Sequence, residues 1–395
     1  MMSKQAKTIV LGVTLSVAPG LLYAQFTIEG RPVQVHGFAA QGFTYSNDNN
    51  YLTMKTSEGS FAFTDGGVNM SVPITDKLRV GAQIYVRNIG TLGQWHPVLD
   101  WAVADYKFKN WFGVRAGKVK TTLGLYNDTQ DMEFLHTWAI LPQALYPLDL
   151  RAVTISHLGG DIYGEIPLNE HRGSLSYTAY AGRQFDDKYG GFRDVSLQQG
   201  RKREGGSGWI AGVDLRWSNP LPGLTVGASW LHESSVGNGT TLARGTPYSF
   251  KKEDQTPVFY TDYLLGNLHL SGEYSRNPRT IHFAGIPGFT ILQQETLAWY
   301  TSVSYRISKH LELGTYHSRF ISDTNKDWSD RSNHIYDQTV TARVDINHYW
   351  NFKVEEHFID GFGSINSARG FYLAQNPHGY QPKTNMLVLR TGFTF

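Results

Sequence analysis

Cysteine is absent from all 395 residues, so the fold is held without disulfides, as an exported chain that does not rely on them can be. Long apolar runs are also missing. After the first two dozen residues no stretch reaches 18 consecutive apolar residues, which excludes a transmembrane helix, and the mean hydropathy of −0.34 is wetter than a helical membrane protein would show. Excess charge is lacking too: the formal net charge is +2, and it falls to zero without Lys4 and Lys7. A nucleic-acid partner has no electrostatic support at that balance. No G-x-S-x-G, no H-E-x-x-H and no Gly-rich phosphate loop occurs. What the chain has in quantity is glycine (41) and aromatic residues (22 Tyr, 21 Phe, 10 Trp).

The first residues set a compartment. Lys4 and Lys7 precede an apolar run from Thr8 to Leu22, broken by Pro19-Gly20 and closed by Tyr23-Ala24. This is the pattern of a cleavable secretory signal, expected at 1–24, with the mature domain at 25–395. A signal without a helix leaves two options, a soluble exported protein or an outer-membrane β-barrel.

Alternation decides between them. In Lys77 to Arg87, Leu78, Val80, Ala82, Ile84 and Val86 share one face, and Arg79, Gly81, Gln83, Tyr85 and Arg87 the other. Further copies of this period of two run through Trp209 to Trp217, Leu224 to Trp230, Leu268 to Tyr274, Leu297 to Tyr305 and Val340 to Ile346. Segments of about ten residues with that period are the repeated signature of barrel strands, apolar toward lipid and polar inside. About 16 are expected: near 33–45, 60–71, 77–88, 98–108, 111–119, 152–166, 173–183, 207–217, 224–234, 257–265, 267–276, 293–307, 310–320, 334–346, 349–360 and 384–395.

Connections alternate as well. They are short after even strands, as at Lys109-Asn110, and long after odd ones, as at Ser46 to Gly59, Gln184 to Gly206, Ser235 to Thr256, Arg276 to Leu292, Ile321 to Asn333 and Gly361 to Lys383. Outer-membrane barrels have this asymmetry, and a soluble β-sandwich has no reason for it. An active transporter of the plugged kind needs about 22 strands and an N-terminal plug, which the spacing does not allow.

One long connection stands apart. Lys118 to Arg151 carries Asp128, Asp131 and Glu133 close together, with Trp138, Pro142, Tyr146 and Pro147 as anchors. Ordinary connections run about 2 to 6 residues, and Ile140, Leu141, Leu145 and Leu148 argue against disorder. The segment reads as a loop folded inward.

Together these features give an all-β transmembrane antiparallel barrel, and the chain resembles a Gram-negative outer-membrane porin of the 16-stranded, general-porin kind. The likeness covers the mature chain through its strand count, its loop asymmetry, its long third loop and the alternating last strand ending on Phe395. The run Arg115 to Asp131, RAGKVKTTLGLYNDTQD, is similar to a segment shared by porin-like proteobacterial proteins. A Pro-Glu-Phe-Gly-Gly type motif common at the tip of the third loop is missing.

The resemblance implies a third loop that narrows the pore, a homotrimer in lipid and lipopolysaccharide, and recognition of the C-terminal Phe395 by the barrel assembly machinery. Function is then passive diffusion of small hydrophilic solutes and ions, without cofactor or catalysis. Pores discriminate by size and by the field across their narrowest part. The expected constriction is Asp128, Asp131 and Glu133 facing Arg115, Arg343 and Arg390, with Arg79, Tyr85, Arg216 and Arg306 lining the pore. Inward Asp214, Glu273, Asp345 and Glu355 could instead pair with some of these arginines. Tyr85, Tyr180 and Tyr300 are also expected inward, which keeps a sugar-selective channel open. From different functional classes, an outer-membrane barrel hydrolase and a purely structural barrel stay open as well.

Overall fold

The computed structural model describes residues 24–28, 31–169, 171–187, 189–364 and 368–395. The expected signal lies outside the described residues except for Ala24.

A short strand β1 (Ala24–Ile28) pairs only with the start of β2 (Arg31–Ser46), Ala24 opposite Val35. Sixteen strands then follow in order. They are β2, β3 (Ser60–Pro73), β4 (Leu78–Ile89), β5 (Val98–Lys109), β6 (Phe112–Lys120), β7 (Ser156–Asn169), β8 (Gly173–Phe185) and β9 (Arg201–Ser218). The second half is β10 (Leu224–Thr241), β11 (Pro247–Leu265), β12 (Leu268–Ala284), β13 (Ile291–Arg306), β14 (Leu311–Ile321), β15 (His334–Asp345), β16 (Trp350–Asp360) and β17 (Lys383–Thr394). Each pairs antiparallel with its neighbours, and β17 pairs with β2, Leu389 opposite Phe43. The sheet is therefore a closed 16-strand barrel without a free edge. At the seam Phe395 and Gly37 exchange both backbone hydrogen bonds.

Strand β16 shows why this sequence closes a barrel. Asn351, Lys353, Glu355, His357 and Ile359 are buried, and they alternate with Trp350, Phe352, Val354, Glu356 and Phe358. Trp350, Val354 and Phe358 are exposed, as are Ile84, Leu99, Ile162, Leu215, Phe259, Leu270 and Val340 around the wall. An apolar outer face with ionisable residues buried on the inner face suits a barrel whose outside meets lipid.

All sixteen expected strands are present, and several boundaries change. Stretches 201–206, 235–241, 247–256 and 277–284 continue strands β9 to β12, where long loops were expected. Strand β11 has 19 residues and β16 has 11. At a rise of ~3.3 Å per residue and a tilt of roughly 40°, that wall stands about 20 Å taller. These extensions are rich in Gly, Lys and Glu, and they lack the apolar outer face by which the other strands are recognised. Lys118 to Lys120 belong to β6, and Arg151–Thr154 form a helical turn α1 before β7, where the strand was expected to start at 152. A second helix, α2 (Gly191–Gln198), sits between β8 and β9.

The inner face is less wet than expected. Tyr51, Leu52, Met54, Phe371, Met386 and Val388 join Phe63, Ile140, Phe320 and Ile359 in one buried apolar cluster. Tyr51, Leu52, Met54 and Phe371 come to it from the connections that follow β2 and β16.

Candidate functional site

Residues 121–155 connect β6 to β7, yet their partners lie on β4, β5, β9, β10, β12 and β14 to β17. The segment cannot bond itself as a regular element, because Pro142 and Pro147 interrupt it and its apolar residues follow no period. Its backbone groups must find other partners, and buried ones do so almost without exception. Side chains on the inner face of the wall supply them.

Glu355 accepts the Ala139 N–H on one carboxylate oxygen and the Ile140 N–H on the other, both at 2.9 Å. Beside it, His357 lies 3.0 Å from Glu355 and 2.9 Å from Asp337. Lys353, fully buried, donates to the carbonyls of Glu133 (2.8 Å) and Trp138 (3.0 Å) and pairs with the Glu133 carboxylate at 2.5 Å. Arg343 donates to the His136 carbonyl at 2.8 Å, and Arg390 to the Ala139 carbonyl at 2.7 Å. Arg390 also holds Asp65 at 2.5 Å, and Thr137 donates to Glu312 at 2.7 Å. Trp138 meets Tyr316 edge to face at 5.1 Å, within a cluster that includes Leu141, Tyr146 and Tyr300.

A second set of bonds holds the start of the segment to the tall wall. Glu273 accepts the Leu125 N–H (3.0 Å) and the Tyr146 (2.5 Å) and Tyr300 (2.8 Å) hydroxyls. Gly124 donates to Ser229 and accepts from Arg216, both at 2.9 Å. Any Cβ at Gly124 would collide with the Glu273 carboxylate, and its φ of +65° suits glycine.

The expected site residues divide into three groups. Glu133, Arg343 and Arg390 come together, and Lys353, which alternation did not single out, stands between them. Asp131 is brought to Lys120 (2.7 Å), Gln83 (2.6 Å) and Arg151 (3.7 Å). Arg151 in turn grips Asp100 with two bonds of 2.9 and 3.0 Å and stacks 3.8 Å over Tyr85. Asp128 takes the Lys120 ammonium on its backbone carbonyl at 2.7 Å, leaving its carboxyl half-buried.

Arg115 is not brought to the loop acids. It pairs with Asp161 (3.3 Å) and Asp105 (3.7 Å) on the neighbouring strands and lies 4.0 Å over Tyr163. Arg79 donates to Ser71 at 2.6 Å and stays exposed near the short-turn end. Arg216 bonds Asp214 and Tyr260 as well as Gly124, and Arg306 pairs with Glu312 and with Asp345 (2.8 Å). Tyr85, Tyr180 and Tyr300 are all buried. Lys120, Arg151, Lys353 and Gln83 are the partners that alternation alone could not pick out, because which side chains meet depends on where the loop crosses.

Charge within the loop follows these partners. Burial pushes the Asp131 carboxyl up, but Lys120 and Arg151 outweigh it and hold it below its ordinary value. Lys353 and Arg390 do the same for Glu133 against its burial. Asp128 moves the other way: burial raises it, and the cations Arg216 and Lys120 only partly offset that. Burial lowers His136 to about 4. Within the loop Asp131 and Glu133 are neutralised by cations, His136 is a neutral imidazole, and Asp128 and Asp149, both raised by burial, make no ion pair among the described residues. Among the described residues no cluster of His, Cys, Asp and Glu could hold a metal ion.

Solved structures share this architecture. The Vibrio cholerae outer-membrane protein OmpT superposes with a TM-score of 0.59 at 10% identity, over 94% of this chain and 100% of that one. The fold is that of an outer-membrane porin. An anion-selective porin from Comamonas acidovorans superposes at TM-score 0.53 and 12% identity, over 92% of this chain and 100% of its own. Salmonella typhi OmpF, solved in complex with daunomycin, gives 0.52 at 12% identity over 94% and 100%. No family model and no curated protein matches the chain. At these identities the porin likeness is one of fold.

Proposed function

We propose that this porin-fold barrel is an outer-membrane channel through which small hydrophilic solutes and ions diffuse passively, with residues 121–155 lying across its lumen as the constriction. The observation that carries the reading is the clamp on that segment, whose backbone is held by Glu355, Lys353, Arg343 and Arg390 on one side and by Glu273 and Ser229 on the other. Its bonds to inner-face side chains of β10, β12 and β15 to β17 support a path between them. The reading is of a pore without catalysis.

In this reading the loop presses against β14 to β17 and β2 to β4, where the apolar cluster seals the interior, and solutes travel along β8 to β13. Three cavities lie on that side, each lined in part by residues of the loop. Asp128 and Arg216 shape the field at the narrow part. A homotrimer embedded in lipid and lipopolysaccharide is proposed as the assembled form, and one OmpT structure was solved in a trimer form. Assembly would proceed through the barrel assembly machinery acting on Phe395.

Reconstitution tests the proposal directly. Purified barrel in a planar bilayer is expected to give defined open steps, and liposomes containing it should swell in small sugars and amino acids faster than in larger ones. A silent bilayer with no swelling would contradict it.

A further inference from the structure

The extensions of β9 to β12 rise past the height at which lipid requires an apolar outer face, and their inner face departs from the rule of the barrel. A period of two puts polar residues on the inside. Here Tyr248 and Phe250 of β11 and Phe283 of β12 border a cavity of about 100 Å³, together with Phe192 of α2. It adjoins a second cavity of about 150 Å³, and Phe192, Lys252 and Arg279 line both. The rings form a continuous patch: Phe283 lies 6.5 Å from Tyr248, 6.4 Å from Phe250 and 5.2 Å from Phe289. Gly237 and Gly239 of β10 make room for it, since a Cβ there would strike the ring of Phe250 or Tyr248. An aromatic patch on a wall that faces water is unfavourable until something apolar covers it.

Cations stand among the rings, and all but one are neutralised. Arg203 pairs with Asp186 and lies 4.6 Å over Phe250. Lys252 is held by Glu233 (2.7 Å) and Asp254 (3.3 Å), and Arg279 by Asp254 (2.9 Å). Those three acids are thereby committed. Lys202 and Glu204, which alternate with Arg201 and Arg203 along β9, are exposed.

Arg201 is the exception. It borders the cavity and makes no ion pair among the described residues. Its guanidinium lies 4.8 Å over Phe283, 5.9 Å from Tyr248 and 6.0 Å from Phe289, and Nη2 donates to the Gln199 side-chain carbonyl. An uncommitted cation and three rings thus stand within 6.0 Å of one another, inside the reach of one small molecule.

We propose that this patch binds an aromatic carboxylate of benzoate size, its carboxylate on Arg201 and its ring on the Phe283–Tyr248 surface. A flat ring stacks on aromatic faces that a hydrated ion leaves bare, and a carboxylate matches the guanidinium fork. Inorganic phosphate would serve the arginine and leave the rings wet; an uncharged arene would do the reverse. The site rests on the channel reading for its purpose, gathering such solutes at the tall rim of the barrel, but not for its existence.

Calorimetric titration of the detergent-solubilised full-length barrel with benzoate, cyclohexanecarboxylate, benzamide and inorganic phosphate separates these terms. Detergent micelles alone serve as the blank, and bilayer conductance is measured on the same preparation. Benzoate should bind, cyclohexanecarboxylate about two- to ten-fold more weakly, the range for lost ring stacking, and phosphate not measurably. Arg201→Gln should weaken benzoate about ten- to hundred-fold, the range for a charge-assisted hydrogen bond, and leave benzamide unchanged. Arg201→Lys, which keeps the charge, should lose less. Phe283→Leu should narrow the margin of benzoate over cyclohexanecarboxylate. Because Arg201 makes no ion pair, Arg201→Gln should keep the native unfolding temperature, which separates loss of the site from loss of the fold. Benzamide or cyclohexanecarboxylate binding as tightly as benzoate, phosphate binding more tightly, or benzoate unchanged by Arg201→Gln would overturn the proposal. Conductance without benzoate binding refutes the site and spares the channel; binding without conductance does the reverse.

Discussion

Lys353 has no exposure to solvent, and it touches the loop at three points: the Glu133 carboxylate and the carbonyls of Glu133 and Trp138. Replacing it with Met keeps the length and removes the charge. Glu133 then loses its direct partner and keeps only the more distant Arg390 and Arg343, which costs up to about 3–5 kcal/mol. Two carbonyls also lose a donor, each worth about 1–3 kcal/mol if left dry. These terms overlap, and the loop can escape them by leaving the wall, so the expected shift is about 4 kcal/mol in the seating of residues 121–155. At ~1.4 kcal/mol per tenfold, that is on the order of a thousand-fold in the seated-to-released ratio. The double variant Glu133→Gln/Lys353→Met removes both charges, and replacing a buried pair by neutral groups is often close to neutral. Single-channel recording should show Lys353→Met with larger, noisier openings, and the double variant with openings near the native size. Heat-dependent gel mobility should place the unfolding temperature of the single variant lowest. If Lys353→Met conducts and melts like the native chain, or the double variant is no better than the single, the pair does not seat the loop.

Four smaller perturbations follow from the same contacts. Glu355→Gln keeps one acceptor but turns an amide N–H toward a backbone N–H, so one loop anchor is lost at about 1–3 kcal/mol, and flicker in the open-channel current should increase. Gly392→Ala would drive a Cβ into the Glu133 carboxylate, and a change in conductance without loss of the barrel is the outcome expected from recording. Asp128→Asn should shift the reversal potential in a salt gradient toward anions, because Asp128 makes no ion pair among the described residues; an unchanged potential removes it from the field of the pore. His136 is buried and lowered to about 4, below its unfolded value of ~6.5. Its contribution is full above pH ~6.5, declines between about pH 6.5 and 4 as the unfolded chain takes up the proton first, and is gone below. The loss amounts to roughly 3 kcal/mol. Recording from neutral pH down to that lower limit should show the loop loosening, and His136→Gln should flatten that dependence.

The barrel was legible because its outer face obeys one rule throughout. Lipid demands apolar side chains at every second position, so Ile84, Leu215 and Val354 announce their strands without reference to any neighbour. The extensions of β9 to β12 escaped because they stand above that demand, and Gly205, Gly206 and Lys251 read as loop. The position of the long third connection was also legible, from counting strands on either side. Its partners were not. Lys353 and Glu355 are plain members of the inner face of β16, and only the path of a loop far earlier in the chain makes them its anchors. Arg115 illustrates the converse: alternation turned it inward correctly, but Asp105 and Asp161 on adjacent strands were nearer than any loop acid. The apolar cluster of Tyr51, Phe371 and Met386 could not be foreseen from a period of two, since Tyr51, Leu52, Met54 and Phe371 come to it from outside the strands.

A chain without cysteine allows the central claim, that residues 121–155 border the solute path, to be tested with a single engineered thiol. Leu123 lines the cavity beside β10 to β13 and is partly exposed, whereas Phe259 is exposed on the opposite, outer face of β11. A charged thiosulfonate reagent added from the aqueous side should cut the single-channel current of Leu123→Cys and leave that of Phe259→Cys unchanged. If the Leu123→Cys thiol is fully labelled, as judged by mass, and the current does not move, the loop does not border the path.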